Sequence, residues 1–205
     1  MSAASGVVVA ASPGAGRTAM SDIERALDDV SASSAGGAPF LIAFGFTLAV
    51  CGVLGLVLPL RTAAIVTLFQ GNLALPLAFL LERRLGTRRM AAGHPLRPLA
   101  LQMAMSQIVA LPAVLLAFSL HPAYVPAAMA AIGGGHFLPY AWLQRTRIYV
   151  FLGVGVSVGA FALSLALRRE AFSPVLFFIS ACYAVAAPLL LRHARRITAR
   201  AGAPA

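Results

Sequence analysis

Charged side chains are scarce in this 205-residue chain, and lysine is absent altogether. Charged residues make up 11% of the sequence, whereas soluble domains carry roughly a quarter. A soluble core of this length would need polar residues over its whole surface, so the composition excludes a soluble globular domain. Hydrophobic residues make up 60% of the chain and its mean hydropathy is +0.87, which is typical of a protein surrounded by lipid.

Acidic residues are also few: the chain has six, and none lies inside its long apolar stretches. That pattern excludes a proton relay through carboxylates, hydrolysis by paired carboxylates and a carboxylate cage for a hard metal ion. The two cysteines, Cys51 and Cys182, lie in apolar stretches, so no disulfide framework is indicated. We find no nucleophile elbow, zinc-protease motif or redox pair. We therefore expect no metal and no cofactor, and the sequence does not favour an enzyme.

Six apolar stretches follow one another along the chain, each near the roughly 20 residues that a spanning helix needs. They cover residues 40–60, 63–81, 99–120, 124–143, 149–167 and 174–191. The sequence therefore predicts an all-α, polytopic bundle of about six transmembrane helices within 39–192. We expect residues 1–38 to form a disordered cytoplasmic tail with a short helix near 21–30, and 193–205 a basic cytoplasmic tail. Met1 and Met20 are both plausible start residues.

The arginines indicate the orientation. Thirteen of the sixteen would lie on the side of the membrane that holds both termini, and Arg61, Arg168 and Arg169 on the other. Because cytoplasmic loops carry the excess of positive charge, we expect both termini inside. The net charge of +10 then meets lipid head groups, not nucleic acid. Replacement of every lysine by arginine, with abundant alanine, glycine and proline, indicates a GC-rich bacterial genome, so we expect a multi-pass protein of the inner (plasma) membrane.

Several hydrogen-bonding side chains are expected near one depth of the bilayer. Counted by helical rise from the flanking arginines, Asn72 lies about 16 Å deep, Gln107 about 15 Å and His136 about 13 Å, with Gln70 at a similar depth. Because unsatisfied polar groups are costly in hydrocarbon, these side chains should face one another or a small wet cavity. Two interpretations stay open: His136 bonds to Asn72 or Gln107 as a structural link, or it lines a pathway or ligand site.

The fourth apolar stretch has the most unusual sequence. Gly133, Gly134 and Gly135 weaken a helix, and Pro139 cannot donate a hydrogen bond to the Gly135 carbonyl. We therefore predict a helix break there, of the kind that exposes backbone groups to ligands in transporters. Tyr140 follows, toward the cytoplasmic interface where aromatic residues anchor helices, and we include it among the candidate pathway residues.

Four short motifs give the chain a family resemblance. They are Pro39-Phe40-Leu41, His94-Pro95-Leu96, Pro122-x-Tyr124-x-Pro126 and, most specific, G-H-F-x-P-Y-x-W at residues 135–142. With them the chain resembles a family of uncharacterised bacterial six-helix integral membrane proteins, grouped as a domain of unknown function. The resemblance extends over roughly residues 20–191. It implies the six-span architecture and no known activity.

Three classes of function remain open. The leading hypothesis is a small permease, or a membrane protein that binds a small ligand or lipid, with a midplane polar pocket around His136. Since no charged group lies inside the spans, its cargo would be neutral or lipid-like. The alternative is an accessory or structural protein that assembles with itself or a membrane partner through small-residue helix faces. The third is an intramembrane enzyme, for which His136 lacks a nucleophile or carboxylate partner.

Overall fold

The computed structural model describes residues 13–86, 90 and 93–201, and its regular secondary structure there is entirely helical. This confirms the all-α prediction. In chain order the helices are α1 (Pro13–Ser33), α2 (Ala38–Val57), α3 (Leu60–Phe69), α4 (Gly71–Leu85), α5 (Arg97–Leu120), α6 (Val125–Leu143), α7 (Ile148–Leu167) and α8 (Phe172–Ala201). Short 3-10 turns lie at Ala35–Gly37, Pro122–Tyr124 and Arg168–Glu170.

Five helical stretches are long and apolar enough to cross a membrane. They are Ala35–Val57, Leu60–Leu85, Arg97–Leu120, Ile148–Glu170 and Phe172–Ala199. The predicted fourth span, α6, forms a helix of 19 residues but is not among the five. Its three glycines, His136 and Pro139 lower its mean hydropathy below that of the other spans. The described residues therefore identify five candidate spans, one fewer than the sequence predicts.

The central helix of the bundle is α8. It packs extensively against α2 and also against α7, and α6 packs against α7. Val175, Leu176 and Leu190 of α8 are completely buried. In contrast, α5 lies at the edge of the bundle and packs mainly against α6. Only Met103 and Val114 of its 24 residues are buried, so α5 has the smallest buried fraction of the five candidate spans.

One end of the bundle gathers the last turns of α1, α4, α6 and α8. A Cβ atom on Gly86, just after α4, would lie 2.5 Å from the Ser33 carbonyl oxygen at the end of α1. His193 of α8 donates through Nε2 to the Gln144 carbonyl oxygen, just after α6, at 3.1 Å. The carboxyl ends of α4, α6 and α8 are therefore neighbours at this end.

The opposite end is formed by the connections between α2 and α3, α5 and α6, and α7 and α8. The 3-10 turns Pro122–Tyr124 and Arg168–Glu170 contact each other, and the first of them also contacts α3. There the Arg61 guanidinium lies 5.5 Å from the centre of the Phe118 ring. Because α6 has one end here and the other beside His193, it runs the full length of the bundle.

The second predicted span is divided into two helices. α3 ends at Phe69 and α4 begins at Gly71, with the buried Gln70 at the joint. Thr47 of α2 donates through Oγ1 to Gln70 Oε1 at 2.5 Å. The polar side chain that the sequence placed in a midplane pocket therefore links this joint to α2.

The N-terminal segment differs from the predicted tail in two respects. α1 covers Pro13–Ser33, well beyond the short helix expected near 21–30, and residues 35–38 are buried in the bundle although they were expected in a disordered tail. Residues 35–38 are buried because they pack closely against α8. Gly36 has a φ of 66°, and a Cβ on Gly36 would lie 2.9 Å from the Leu190 carbonyl oxygen. α8 continues as a helix to Ala201, through the expected tail from 193, since alanine and arginine favour helix.

Candidate functional site

The interface between α5 and α6 holds the residues that the sequence singled out most strongly. The two helices run antiparallel, and His136 of α6 lies against the backbone of Met103 in α5. About one turn away, Gln107 of α5 and Gly133 of α6 line one cavity. We call this interface, with Met103, Gln107, Gly133, His136 and Tyr140, the α5–α6 seam. The cavity has a volume of about 120 Å³. Its other lining residues are Leu68, Leu111, Val114, Met129 and Ile132.

His136 is half-buried in the seam. Its ring centre lies 4.9 Å from that of Tyr140, one turn further along α6, and 6.3 Å from that of Phe137. Its Nδ1 atom is buried and has no hydrogen-bond partner among the described residues. A buried imidazole nitrogen is normally hydrogen-bonded. One ring nitrogen of His136 is therefore left without a hydrogen-bond partner among the described residues.

Tyr140 connects the seam to α4 and α7. Its ring centre lies 5.8 Å from that of Tyr149 in α7, and its phenol interacts electrostatically with the half-buried Glu82 carboxylate in α4. Sequence reasoning missed Glu82 because it ended the second span at residue 81. The observed helix continues to Leu85, so Glu82 lies inside α4. The sequence feature that could have identified Glu82 is its position directly after a long apolar stretch.

The predicted midplane pocket does not assemble as a whole. Asn72 is exposed on α4, and Gln70 is buried against Thr47 of α2. Gln107 lines the small cavity although most of its side chain is exposed. In the described part of the chain no hydrogen bond joins His136 to Asn72 or Gln107, so the predicted structural link between these side chains is wrong. Counting residues along a helix gives depth but not the direction that a side chain faces.

The predicted helix break in α6 is not present either. α6 is one helix from Val125 to Leu143, with Gly133, Gly134, Gly135 and Pro139 inside it. The glycines permit close packing: a Cβ on Gly134 would lie 2.5 Å from the Gly153 carbonyl oxygen in α7 and would overlap Ser157 Oγ. Contact with α7 thus holds the helix together where its sequence is weak.

A second polar cluster, at the end of the bundle that gathers α1, α6 and α8, was not predicted. Gln144 is 1% exposed and donates through Nε2 to Ser34 Oγ at 3.0 Å. Beside it, Arg145 donates to the Asp28 carboxylate at 3.0 Å. Both contacts bind the end of α1 to the end of α6. A single glutamine next to an arginine gives no sequence signal that its side chain is buried.

These groups can donate and accept hydrogen bonds. The described residues contain no group of three or more histidine, cysteine or acidic side chains that could hold a metal ion. Cys51 and Cys182 are both free. The seam offers an imidazole, a phenol and an amide, which suit recognition of a small polar molecule.

No curated protein and no solved structure matches the chain. A family model described as a family of unknown function (DUF7010) matches residues 23–193, which is most of the sequence. The match confirms the expectation of an uncharacterised domain, and the apolar helical bundle fits a membrane protein. The chain belongs to the family of unknown function DUF7010.

Proposed function

We propose that this chain is a six-span protein of the bacterial inner membrane that binds a small uncharged molecule at His136, in the α5–α6 seam. The proposal rests on one observation: the buried Nδ1 atom of His136 has no hydrogen-bond partner among the described residues. Leaving a buried polar group without a partner costs about 1–3 kcal/mol. A bound molecule that donates a hydrogen bond to Nδ1 would recover this free energy.

The cavity of the seam, which Gln107 and Gly133 line and His136 does not, limits the size of the ligand that the seam can hold. Its volume of about 120 Å³ is well below the roughly 300–1,000 Å³ of pockets for drug-sized molecules. A molecule of a few non-hydrogen atoms is therefore favoured over a lipid head group. Because none of the described residues that line the cavity is charged, an uncharged ligand is favoured over an anion.

The position of α5 supports a route for entry. This helix contacts mainly α6, and most of its residues are exposed. Among the described residues, α4 and α5 share no extended packed interface. A small outward movement of α5 would widen the seam without disturbing the core around α8.

Substitutions of His136 in the purified protein test the proposal. We would measure the thermal unfolding midpoint in detergent with acetamide, propionamide and glycerol as probes. At ten times its Kd, a bound probe should raise the midpoint by about 3 to 6 °C. His136→Phe should abolish the rise, His136→Gln should retain part of it, and the control Gln102→Ala, on the exposed face of α5, should retain all.

Two results would contradict this function. One is a midpoint that no probe raises in the wild-type protein. The other is a His136→Phe variant that responds as the wild type does. A stable complex with another membrane protein on a blue-native gel, together with either result, would favour the accessory role.

The orientation with both termini inside and the six-span count belong to the same proposal. They are supported by the two ends of the bundle: Arg145, Arg192 and Arg195 lie at the end that gathers α4, α6 and α8, whereas Arg61 and Arg168 lie at the other. Phosphatase fusions made after Leu120 should be active outside the cytoplasm, and fusions after Leu85 or Leu143 inactive. Phosphatase activity of the fusion made after Leu143 would show that α6 does not span the membrane.

A further inference from the structure

A groove runs along the outside of the bundle between α2 and α8. Its volume is about 530 Å³. Small residues, such as Gly45 of α2 and Ala184 of α8, form its floor, and Leu41 and Leu191 lie at one end. The other end is marked by Ala49 and Ser180. The groove shares no lining residue with the α5–α6 seam, so it is a separate feature of the molecule.

The length of the groove matches one leaflet of a bilayer. Ser180 and Leu191 are eleven residues apart on α8, which at helical rise is about 16 Å. The hydrocarbon core of a bilayer is roughly 30 Å thick, so one leaflet contributes about 15 Å. The groove is therefore as long as the acyl layer of a single leaflet.

Two arginines follow the groove at the Leu191 end. Arg195 lies one helical turn beyond Leu191 on the same face of α8, about 6 Å further along the axis, and Arg192 lies one turn beyond Pro188. Both side chains are exposed and have no ion-pair partner among the described residues. Head groups occupy about 5 to 7 Å beyond the hydrocarbon on each side, which is the depth of Arg195.

We propose that this groove binds an anionic phospholipid, with one acyl chain lying between α2 and α8 and the phosphate bound by Arg195 and Arg192. The apolar lining suits the chain, and the two cations suit the phosphate. A second copy of the protein is a poorer occupant. A two-fold dimer through this groove would bring the Arg192 and Arg195 side chains of both copies together, and like charges repel.

Lipid titration monitored by native mass spectrometry tests the site. The full chain, purified in detergent, would be titrated with dioleoyl-phosphatidylglycerol and, separately, dioleoyl-phosphatidylcholine. The anionic lipid should bind more tightly. Arg195→Gln should raise its Kd about fivefold, the equivalent of about 1 kcal/mol per basic residue. The Kd of the zwitterionic lipid should change less, because its choline offsets the charge of the phosphate.

Three control variants make the result specific. Arg84→Gln removes the same charge from an exposed position at the end of α4 and should leave both Kd values unchanged. Ala184→Phe fills the groove and should abolish tight binding of both lipids. Val185→Phe adds the same ring at the neighbouring position, which is 66% exposed and does not line the groove, and should bind as the wild type does.

Other outcomes would overturn the proposal. Equal affinity for the two lipids would show that the arginines do not bind the head group. The same conclusion would follow if the Arg195→Gln variant bound the anionic lipid as tightly as Arg84→Gln does. If a folded Ala184→Phe variant bound the lipids as tightly as the wild type does, the acyl chain would not lie in this groove. A dimer that Ala184→Phe dissociates would assign the groove to a second copy of the chain.

Discussion

The phenol of Tyr149 donates a hydrogen bond of 2.7 Å to the carbonyl oxygen of Gly36. Tyr149 is 2% exposed at the start of α7, and Gly36 lies in the turn between α1 and α2. The next residue, Gly37, has a φ of 77°, and a Cβ there would overlap the Tyr149 hydroxyl. The turn is therefore shaped around this phenol, which ties the N-terminal segment to the bundle.

Removing that hydroxyl should destabilise the protein. Tyr149→Phe leaves the buried Gly36 carbonyl without a partner, at a cost of about 1–3 kcal/mol. We expect a lower thermal unfolding midpoint in detergent. The control is Tyr124→Phe, at a more exposed tyrosine near the other end of the bundle. Equal midpoints for the two variants would show that the bond to Gly36 contributes nothing.

The contact between α6 and α7 predicts opposite effects at adjacent glycines. Gly134→Ala places a methyl group against the Gly153 carbonyl and Ser157, and the two helices must separate at a cost of about 1–3 kcal/mol. Gly135→Ala meets nothing within 4 Å and should be neutral or slightly stabilising, because alanine favours helix by up to about 1 kcal/mol. Unfolding midpoints measure both. Gly135→Ala as the more harmful change would refute this packing.

The end of α1 should depend on Gln144 more than on Arg145. Gln144→Leu removes the buried bond to Ser34, and hydrogen exchange in the last turns of α1 should rise at any ionic strength. Arg145→Gln removes a contact with Asp28 that is 38% exposed at both side chains, so its effect should be below about 1 kcal/mol. That effect should vanish near 1 M salt, where the Debye length is about 3 Å. A salt-dependent effect of Gln144→Leu would contradict this assignment.

The joint between α3 and α4 should be sensitive to Thr47. Thr47→Val removes the donor to the buried Gln70 side chain and should lower stability by about 1–3 kcal/mol. Thr62→Val, at an exposed position in α3, is the matched control. Thermal unfolding separates the two, and a smaller loss for Thr47→Val than for Thr62→Val would show that Gln70 has another partner.

Helix positions were predictable because long apolar stretches have few alternatives in lipid, where every backbone polar group needs an internal partner. α2, α5, α6 and α7 therefore begin and end within three residues of their predicted bounds. The joint at Gln70 was not predicted, since nothing in an apolar run marks where two helices meet. The Gln70 side chain there accepts a hydrogen bond from Thr47, which is 23 residues away in the sequence.

The candidate site was predicted in part. His136 and Gln107 were singled out as polar residues of neighbouring helices, and both border the seam. Asn72 and Gln70 were placed at a similar depth but face elsewhere. Glu82 was missed because its helix continues past the apolar run. Depth follows from counting residues, whereas the facing direction follows from which neighbour each helix packs against.

The amino-acid sequence by itself determined an all-helical chain with several apolar stretches, because scarce charge and long hydrophobic runs are compatible with few other structures. Tertiary structure alone decided what its unusual residues do. The three glycines of α6 look like a helix break in isolation, yet packing against Gly153 turns them into a close helix contact. Such a contact depends on a surface that a distant part of the chain supplies, and no local pattern records it.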